Sequence, residues 1–263
     1  MLGRHQVTEV MSSTPHDEVT GSPTARQKVQ AYNGADCDLE RIRMNWQLDT
    51  ATKTAARKYP IPIYSASPIA QDPGFSVMAM DFQTRLRPGD VFTSANLACS
   101  PSQIIDEFKV SHYLQAIALT ICWGTMTRTK NKYIYRSHAL QHIFNTLDQC
   151  AQSITKTSSI QQSWDLLVNG LSWTPVMTSK TLHFLCRALG CEQDPPVPID
   201  NAVILSYVWP GFRINIPPGQ RPLDWSGKTF AAYCRYMTAI LEWADIKGWK
   251  TTELESTIFE ENR

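Results

Sequence analysis

The stretch Thr174-Pro-Val-Met-Thr-Ser-Lys180-Thr-Leu-His-Phe-Leu is followed, twenty residues after the lysine, by Pro196-Val-Pro-Ile-Asp200. The residues from Lys180 to Leu189 are good helix formers, and the glycine after them is suited to end a helix. We interpret Thr174 to Thr178 as a tight turn, so Lys180 lies in the first helical turn. The prolines before Asp200 favour an extended backbone, and the apolar run after it makes Asp200 a candidate N-cap. The pattern therefore predicts an amine and a carboxylate at the two ends of one helix and loop.

This segment resembles the helix-hairpin-helix DNA glycosylases, whose signature is a hairpin, a lysine, a loop rich in glycine and proline, and an aspartate. Lys180-Thr-Leu-His-Phe with Pro196-Val-Pro-Ile-Asp200 is most similar to the 8-oxoguanine DNA glycosylase branch. The family hairpin usually reads Leu-Pro-Gly-Val-Gly-x-Lys, whereas this chain has Val176 and Thr178 where the two glycines stand. Those glycines let a backbone turn sharply and approach a DNA phosphate. The specific match covers about thirty residues, and a looser one runs from about residue 100 to the C-terminus.

The resemblance implies an enzyme that swings a nucleotide out of double-stranded DNA and cuts its glycosidic bond. It implies that Lys180 is the nucleophile, which forms a Schiff base, and that Asp200 stabilises the positively charged transition state. The implied activity is that of a DNA glycosylase and AP lyase, with an oxidised purine such as 8-oxoguanine as the first choice of base. Two alternatives stay open: a monofunctional glycosylase for another modified base, and a catalytically inert DNA-binding protein of the same fold.

Helix signals dominate beyond Ser102, so we predict a mainly α protein, and the resemblance implies the helix-hairpin-helix glycosylase fold with an irregular N-terminal extension. The polar composition of residues 1–58 predicts a disordered or weakly structured tail, and residues 59–263 form the glycosylase-like domain. Frequent prolines between Tyr59 and Ser100 predict irregular structure with a few short strands. The predicted helices are 102–109, 111–123, 137–152, 158–170, 180–189, 201–209, 228–247 and 251–260.

A basic run without acidic residues lies between Thr125 and Arg136. The formal net charge is only +1, so a DNA-binding face must be local. The run follows the apolar segment Tyr113–Trp123, where the related enzymes place the loop that wedges into DNA. A solvated loop is the alternative interpretation. The predicted DNA contacts are Met126, Arg128, Lys130, Asn131, Lys132, Arg136, Thr178 and Ser179.

A base pocket is predicted from residues near the lysine and near a proline-rich loop. His183 and Phe184 lie three and four residues after Lys180, on its helix face, so either is able to touch an extruded base. Core packing is an equally good interpretation for Phe184. Trp209 and Trp225 flank the loop, which is long enough to be functional.

Composition limits the other classes of protein. The 263 residues are 43% hydrophobic, enough to bury a sizeable core. Seven cysteines without a CxxC pattern favour reduced thiols, and no four-cysteine run supports an iron–sulfur cluster. His138 and His142 lack the glutamate of a zinc protease, so we expect a solvated helix face, no metal and no other cofactor. Without a long apolar stretch we expect no membrane association, and a cytoplasmic monomer, associated with the nucleoid in a prokaryote.

Overall fold

The computed structural model describes residues 42, 44–46, 49–69, 75–78, 96–125, 140–191, 194–220 and 229–262. Over this part of the chain the fold is mainly α, as predicted. The α-helices are α1 (Thr50–Lys58), α2 (Pro101–Lys109), α3 (Tyr113–Thr125), α4 (Leu140–Thr157), α5 (Ile160–Asp165), α6 (Pro175–Ala188), α7 (Trp209–Ile214), α8 (Phe230–Lys247) and α9 (Thr251–Asn262). Within the described ranges, no helix is long and apolar enough to cross a membrane.

In the part of the chain that the structure describes, two π-helical turns adjoin α-helices. One, Leu166–Gly170, continues α5, and together they account for the helix predicted at 158–170. The other, Ile204–Val208, leads directly into α7. Of the helix predicted at 201–209, residues 201–203 form a turn, and the rest is this π-helical turn and the first residue of α7. A single 3-10 turn, Pro218–Gln220, follows α7.

A small sheet lies in the proline-rich region for which short strands were predicted. Its strands, β1 (Phe75–Met78) and β2 (Asn96–Cys99), pair antiparallel, with Phe75 opposite Cys99. The chain then passes into α2 through the N-cap Ser100, whose Oγ accepts a hydrogen bond from the Gln103 N–H at 3.2 Å. Proline at the first position of α2 suits a helix start, because its missing N–H has no partner there in any case.

The end of the predicted tail over residues 1–58 is part of the core, which corrects that prediction. Trp46 is 0% exposed and meets Tyr233 of α8 edge to face, with ring centroids 5.7 Å apart. α1 packs against α8, where Lys53 forms a 2.8 Å ion pair with Glu242. Composition misled here because few apolar residues are present, but one buried tryptophan covers a large area. Residues 1–41 lie outside the described residues.

The central helix α6 starts earlier than predicted. Its N-cap is Thr174, whose Oγ1 accepts a hydrogen bond from the Met177 N–H at 3.3 Å, and Pro175 follows in the first turn. The tight turn predicted at Thr174 to Thr178 is therefore wrong, and Lys180 lies in the second helical turn. Every residue from Thr178 to Cys186 is buried, because α2, α3 and α5 pack around this helix.

An aromatic cluster fills the space between α8 and its neighbours. Trp164 stacks on Tyr233 with ring centroids 4.6 Å apart, and Phe212 meets Trp243 edge to face at 5.0 Å. Such arrangements stabilise by burial and by the attraction between ring quadrupoles. Trp164, Trp173, Trp209 and Trp243 are all buried.

The cysteines in the described ranges divide into two groups. Cys99, Cys122, Cys150, Cys186 and Cys234 are buried thiols, as predicted. Cys191 is disulfide-bonded, so the prediction of a reduced thiol is wrong for this residue. Burial raises the pKa of Cys150 and of Cys234 to about 12, so both thiols are protonated and unreactive near neutral pH.

Candidate active site

Lys180 is a buried lysine whose amine has three close neighbours. The residue is 6% exposed. Nζ donates hydrogen bonds to the Gly124 carbonyl at 3.0 Å and to Asp200 Oδ2 at 3.4 Å, and it lies 5.7 Å from the centre of the Trp123 ring. Burial lowers the pKa of the amine below its ordinary value, and Asp200 opposes this shift. A larger neutral, nucleophilic fraction is therefore present than at a surface lysine.

Gly124, in the last turn of α3, leaves the space that the lysine side chain occupies. A Cβ atom built on Gly124 would lie 2.8 Å from both Cδ and Nζ of Lys180. Unstrained carbon contacts are about 3.5–4.0 Å, so any larger residue at this position would collide with the lysine. Glycine is thus needed here for close approach.

Asp200 divides its carboxylate oxygens between the backbone and the lysine. Oδ1 accepts hydrogen bonds from the Ala202 N–H at 2.7 Å and from the Val203 N–H at 2.9 Å, which is the capping role predicted from sequence. Oδ2 is left to face Lys180. The two backbone hydrogen bonds hold the carboxylate in one orientation, so that Oδ2 is kept facing the Lys180 amine. The structure brings Lys180 and Asp200 together as predicted, while their catalytic roles stay a prediction.

The loop that ends at Asp200 is held from one side by α8. Tyr233 donates its hydroxyl hydrogen to the Val197 carbonyl at 2.7 Å, and Tyr236 donates to the Pro198 carbonyl at 3.1 Å. Burial raises the pKa of both phenols well above the ordinary value, so both remain donors. These interior bonds immobilise the loop and therefore the position of Asp200.

Ser179 and His183 hold the same loop from the side of α6, which corrects their predicted roles. The Ser179 hydroxyl accepts from the Ile199 N–H at 3.0 Å and donates to the Val176 carbonyl at 3.0 Å. His183 Nδ1 donates to the Pro196 carbonyl at 2.9 Å, and burial lowers the pKa of the imidazole to about 3, so the ring is neutral. Both side chains are fully buried. Neither side chain is accessible from the protein surface.

Three further predicted contacts also lie in the core. Thr178, predicted at DNA, and Phe184 and Trp209, predicted in the base pocket, are buried. Phe184 packs edge to face on Trp123 with ring centroids 5.1 Å apart, and Trp209 packs on Phe212 at 5.4 Å. The prediction assumed that α6 has an open face, but neighbouring helices surround it. Residues that share a helix face with Lys180 therefore pack against protein.

The other predicted site residues lie outside the described residues, and their roles stay predictions. They are Met126, Arg128, Lys130, Asn131, Lys132, Arg136 and Trp225. The last residue of α3 is Thr125, next to the glycine whose carbonyl binds Lys180. The basic run therefore begins in sequence directly after a residue of the candidate site.

Glu255 of α9 also belongs to the site, although it was not predicted from the sequence. It is 5% exposed and interacts electrostatically with both Lys180 and Asp200. Burial raises the pKa of its carboxyl to about 8, and Lys180 partly opposes the rise. A signal was present in the sequence, because Leu254 and Ile258 place Glu255 within the apolar stripe of α9. An acid inside such a stripe indicates either a buried ion pair or a functional carboxyl.

No metal site is visible in the described ranges, where no group of three or more His, Cys, Asp or Glu is placed to hold an ion. His142 is exposed, and its Nε2 lies 3.3 Å from the Gly170 carbonyl. This placement agrees with the solvated helix face that was expected. His138, its predicted companion, lies outside the described residues.

Comparison with known proteins found no matching family model, no similar curated protein and no similar solved structure. A functional assignment therefore depends on the motif that contains Lys180 and Asp200 and on the geometry of that pair.

Proposed function

We propose that the protein is a DNA glycosylase with AP lyase activity, which excises a damaged or modified base from double-stranded DNA. The observation that carries this proposal is a buried amine, that of Lys180, 3.4 Å from the Asp200 carboxylate. The same two residues carry the sequence resemblance to the helix-hairpin-helix glycosylases, and we propose that fold for the helical domain. An oxidised purine such as 8-oxoguanine is the first choice of base.

Lys180 is the nucleophile in this proposal. Its neutral amine attacks C1′ of the extruded nucleotide, the glycosidic bond breaks, and the bonding electrons leave with the base, which takes up a proton. The C1′–O4′ bond then breaks as the C1′–Nζ double bond forms, and O4′ takes up a proton released from Nζ. β-Elimination from this imine removes a proton from C2′, forms the C2′–C3′ double bond and breaks the C3′–O bond, so that the 3′-phosphate leaves and the strand is nicked. Burial favours the first step because it lowers the pKa of the amine.

Asp200 stabilises the positive charge that develops on the sugar as the glycosidic bond breaks. Its Oδ1 is engaged by two backbone N–H groups, which leaves Oδ2 directed at the amine. A charge held in place before the reaction needs no reorganisation during it, and removal of one such group typically lowers the rate by about 100-fold to 1,000-fold.

The test is to incubate the protein with duplexes that carry different modified bases, adding borohydride to reduce any imine to a stable adduct. Wild type should form a covalent adduct with at least one duplex, and Lys180→Gln should not. Lys156→Gln is the matched control. Lys156 lies in the last turn of α4, so this substitution removes the same charge from another helix.

Each result separates the proposed activity from its alternatives. An undiminished adduct with Lys180→Gln would refute the assignment of Lys180 as the nucleophile. Release of a base without an adduct or a nick would favour the monofunctional glycosylase. Tight binding to a modified duplex without release of any base would favour the inert DNA-binding protein.

A further inference from the structure

We propose that Glu255, buried on α9 behind the turn that follows Asp200, is a positioning residue of this site, whose carboxyl shifts the balance between the charged and the neutral form of the Lys180 amine. The proposal rests on the proposed function for the identity of the electrophile that Lys180 attacks. The coupling between the two side chains itself needs no DNA and is measurable in the protein alone.

The position of Glu255 follows from the packing of α9. The helix packs against the π-helical turn Ile204–Val208, which begins four residues after Asp200. Leu254 and Ile258, on either side of Glu255 along the same stripe, are fully buried and fix the face of α9 that points inward. The carboxyl is thereby enclosed near the Lys180 and Asp200 pair and interacts with both.

Charge balance indicates where a proton resides in this cluster. One amine and two carboxyls, all ionised, would give an enclosed site with an uncompensated negative charge, which burial disfavours strongly. Asp200 has two backbone N–H groups that stabilise its negative charge. Glu255 is the more enclosed carboxyl, and burial raises its pKa to about 8. The charge of Lys180 lowers this pKa, whereas the charges of Asp200 and Glu260 raise it. The proton therefore resides on Glu255 at neutral pH.

The charge of Glu255 then adds to that of Asp200 in its effect on Lys180. When Glu255 is protonated, the amine faces the single charge of Asp200; when Glu255 is ionised, a second negative charge favours the ammonium form. Tyr233 and Tyr236 also interact with Glu255 from α8, but burial raises the pKa of both phenols, so they stay neutral over the same pH range. A protonated Glu255 thus favours the nucleophile, and its ionisation delays deprotonation of Lys180 to higher pH.

Competitive acetylation of the intact protein without DNA tests this coupling. The extent of acetylation of Lys180 is followed by mass spectrometry over a pH series that brackets the ordinary pKa values of glutamate and lysine, with the exposed Lys58 as the internal reference. Glu255→Gln removes the ionisable group with little change of shape. The midpoint for Lys180 should fall by about one pH unit, the lower end of the effect expected from an opposite charge at close range.

Two further variants separate charge from packing. Glu253→Gln removes an acid from the same helix, and its amide oxygen can still accept the hydrogen bond from the Lys250 N–H, so the Lys180 midpoint should equal that of wild type. Glu255→Asp restores an ionisable carboxyl and should return the midpoint toward wild type. An unchanged midpoint in Glu255→Gln, or identical midpoints in Glu255→Gln and Glu255→Asp, would overturn the proposal.

Borohydride trapping with an abasic duplex at the same pH values separates this inference from the proposed function. A shifted acetylation midpoint without an adduct from any variant supports the coupling and refutes the lyase. An adduct from wild type with an unshifted midpoint supports the lyase and refutes the role of Glu255.

Discussion

Replacement of Gly124 by alanine tests whether the position of the Lys180 amine matters as well as its presence. The new methyl carbon would lie 2.8 Å from both Cδ and Nζ of the lysine. Because carbon contacts in proteins are about 3.5 Å at the closest favourable separation, the end of the lysine must retreat by roughly 0.7 Å. The hydrogen bond from Nζ to the Gly124 carbonyl would be lost or lengthened by this movement.

The expected cost to activity is large. A misplacement of about 1 Å in a catalytic constellation can lower the rate by about 100-fold, so Gly124→Ala should reduce adduct formation and single-turnover excision by about 10-fold to 100-fold. The expected cost to stability is small. The clashing atoms belong to the flexible end of a side chain, and alanine favours a helix over glycine by about 1 kcal/mol. The free energy of unfolding should therefore change by no more than about 1 kcal/mol.

Gly211→Ala is the matched control, since Gly211 also lies in a helix, α7, and an added Cβ would meet nothing within 4 Å. Borohydride trapping and single-turnover excision measure activity, and denaturant unfolding measures stability, for wild type and both variants. Wild-type rates of adduct formation and excision in Gly124→Ala would refute the reasoning. Equal losses in both variants would show that helix geometry, not the position of the lysine, is responsible.

Three other predictions concern charge, packing and DNA contact. Asp200→Asn should bind DNA as wild type does and keep its backbone cap, yet lose about 100-fold or more in single-turnover excision, since an amide carries no charge; equal rates would contradict its role. Trp46→Ala should lower the free energy of unfolding by about 3–5 kcal/mol in denaturant titrations, because the side chain is fully buried; a loss below about 1 kcal/mol would argue against its place in the core. Removal of Arg128 and Lys132 together should flatten the slope of log affinity against log salt by about two units while base preference is unchanged. An unchanged slope and affinity would move the DNA-binding face elsewhere, with Arg213 in the last turn of α7 as the next candidate.

Local signals in the sequence were sufficient for most of the helices. The predicted boundaries of α2, α3, α8 and α9 agree with the structure within two residues, because caps and apolar periodicity act between residues that are neighbours along the chain. The capping role of Asp200 was found for the same reason. At α6 the local signal was misread: Pro175 was assigned to a turn, although proline also favours the first turn of a helix.

The surroundings of the candidate site were decided by tertiary structure. Spacing along the chain paired Lys180 with Asp200, but it did not show the space at Gly124. The apolar stripe of α9 indicates that Glu255 is buried, but not that its carboxyl interacts with this pair, because the residues lie on different elements. The side chains of Ser179 and His183, and their positions in the sequence, are compatible with DNA contact. They instead hold the loop before Asp200, because neighbouring helices enclose α6. Burial depends on which distant elements pack together, and it sets both the reach and the charge of a side chain. For that reason the sequence by itself determined the helices and the amine–carboxylate pair, whereas packing alone decided which other residues surround that pair and in what protonation state.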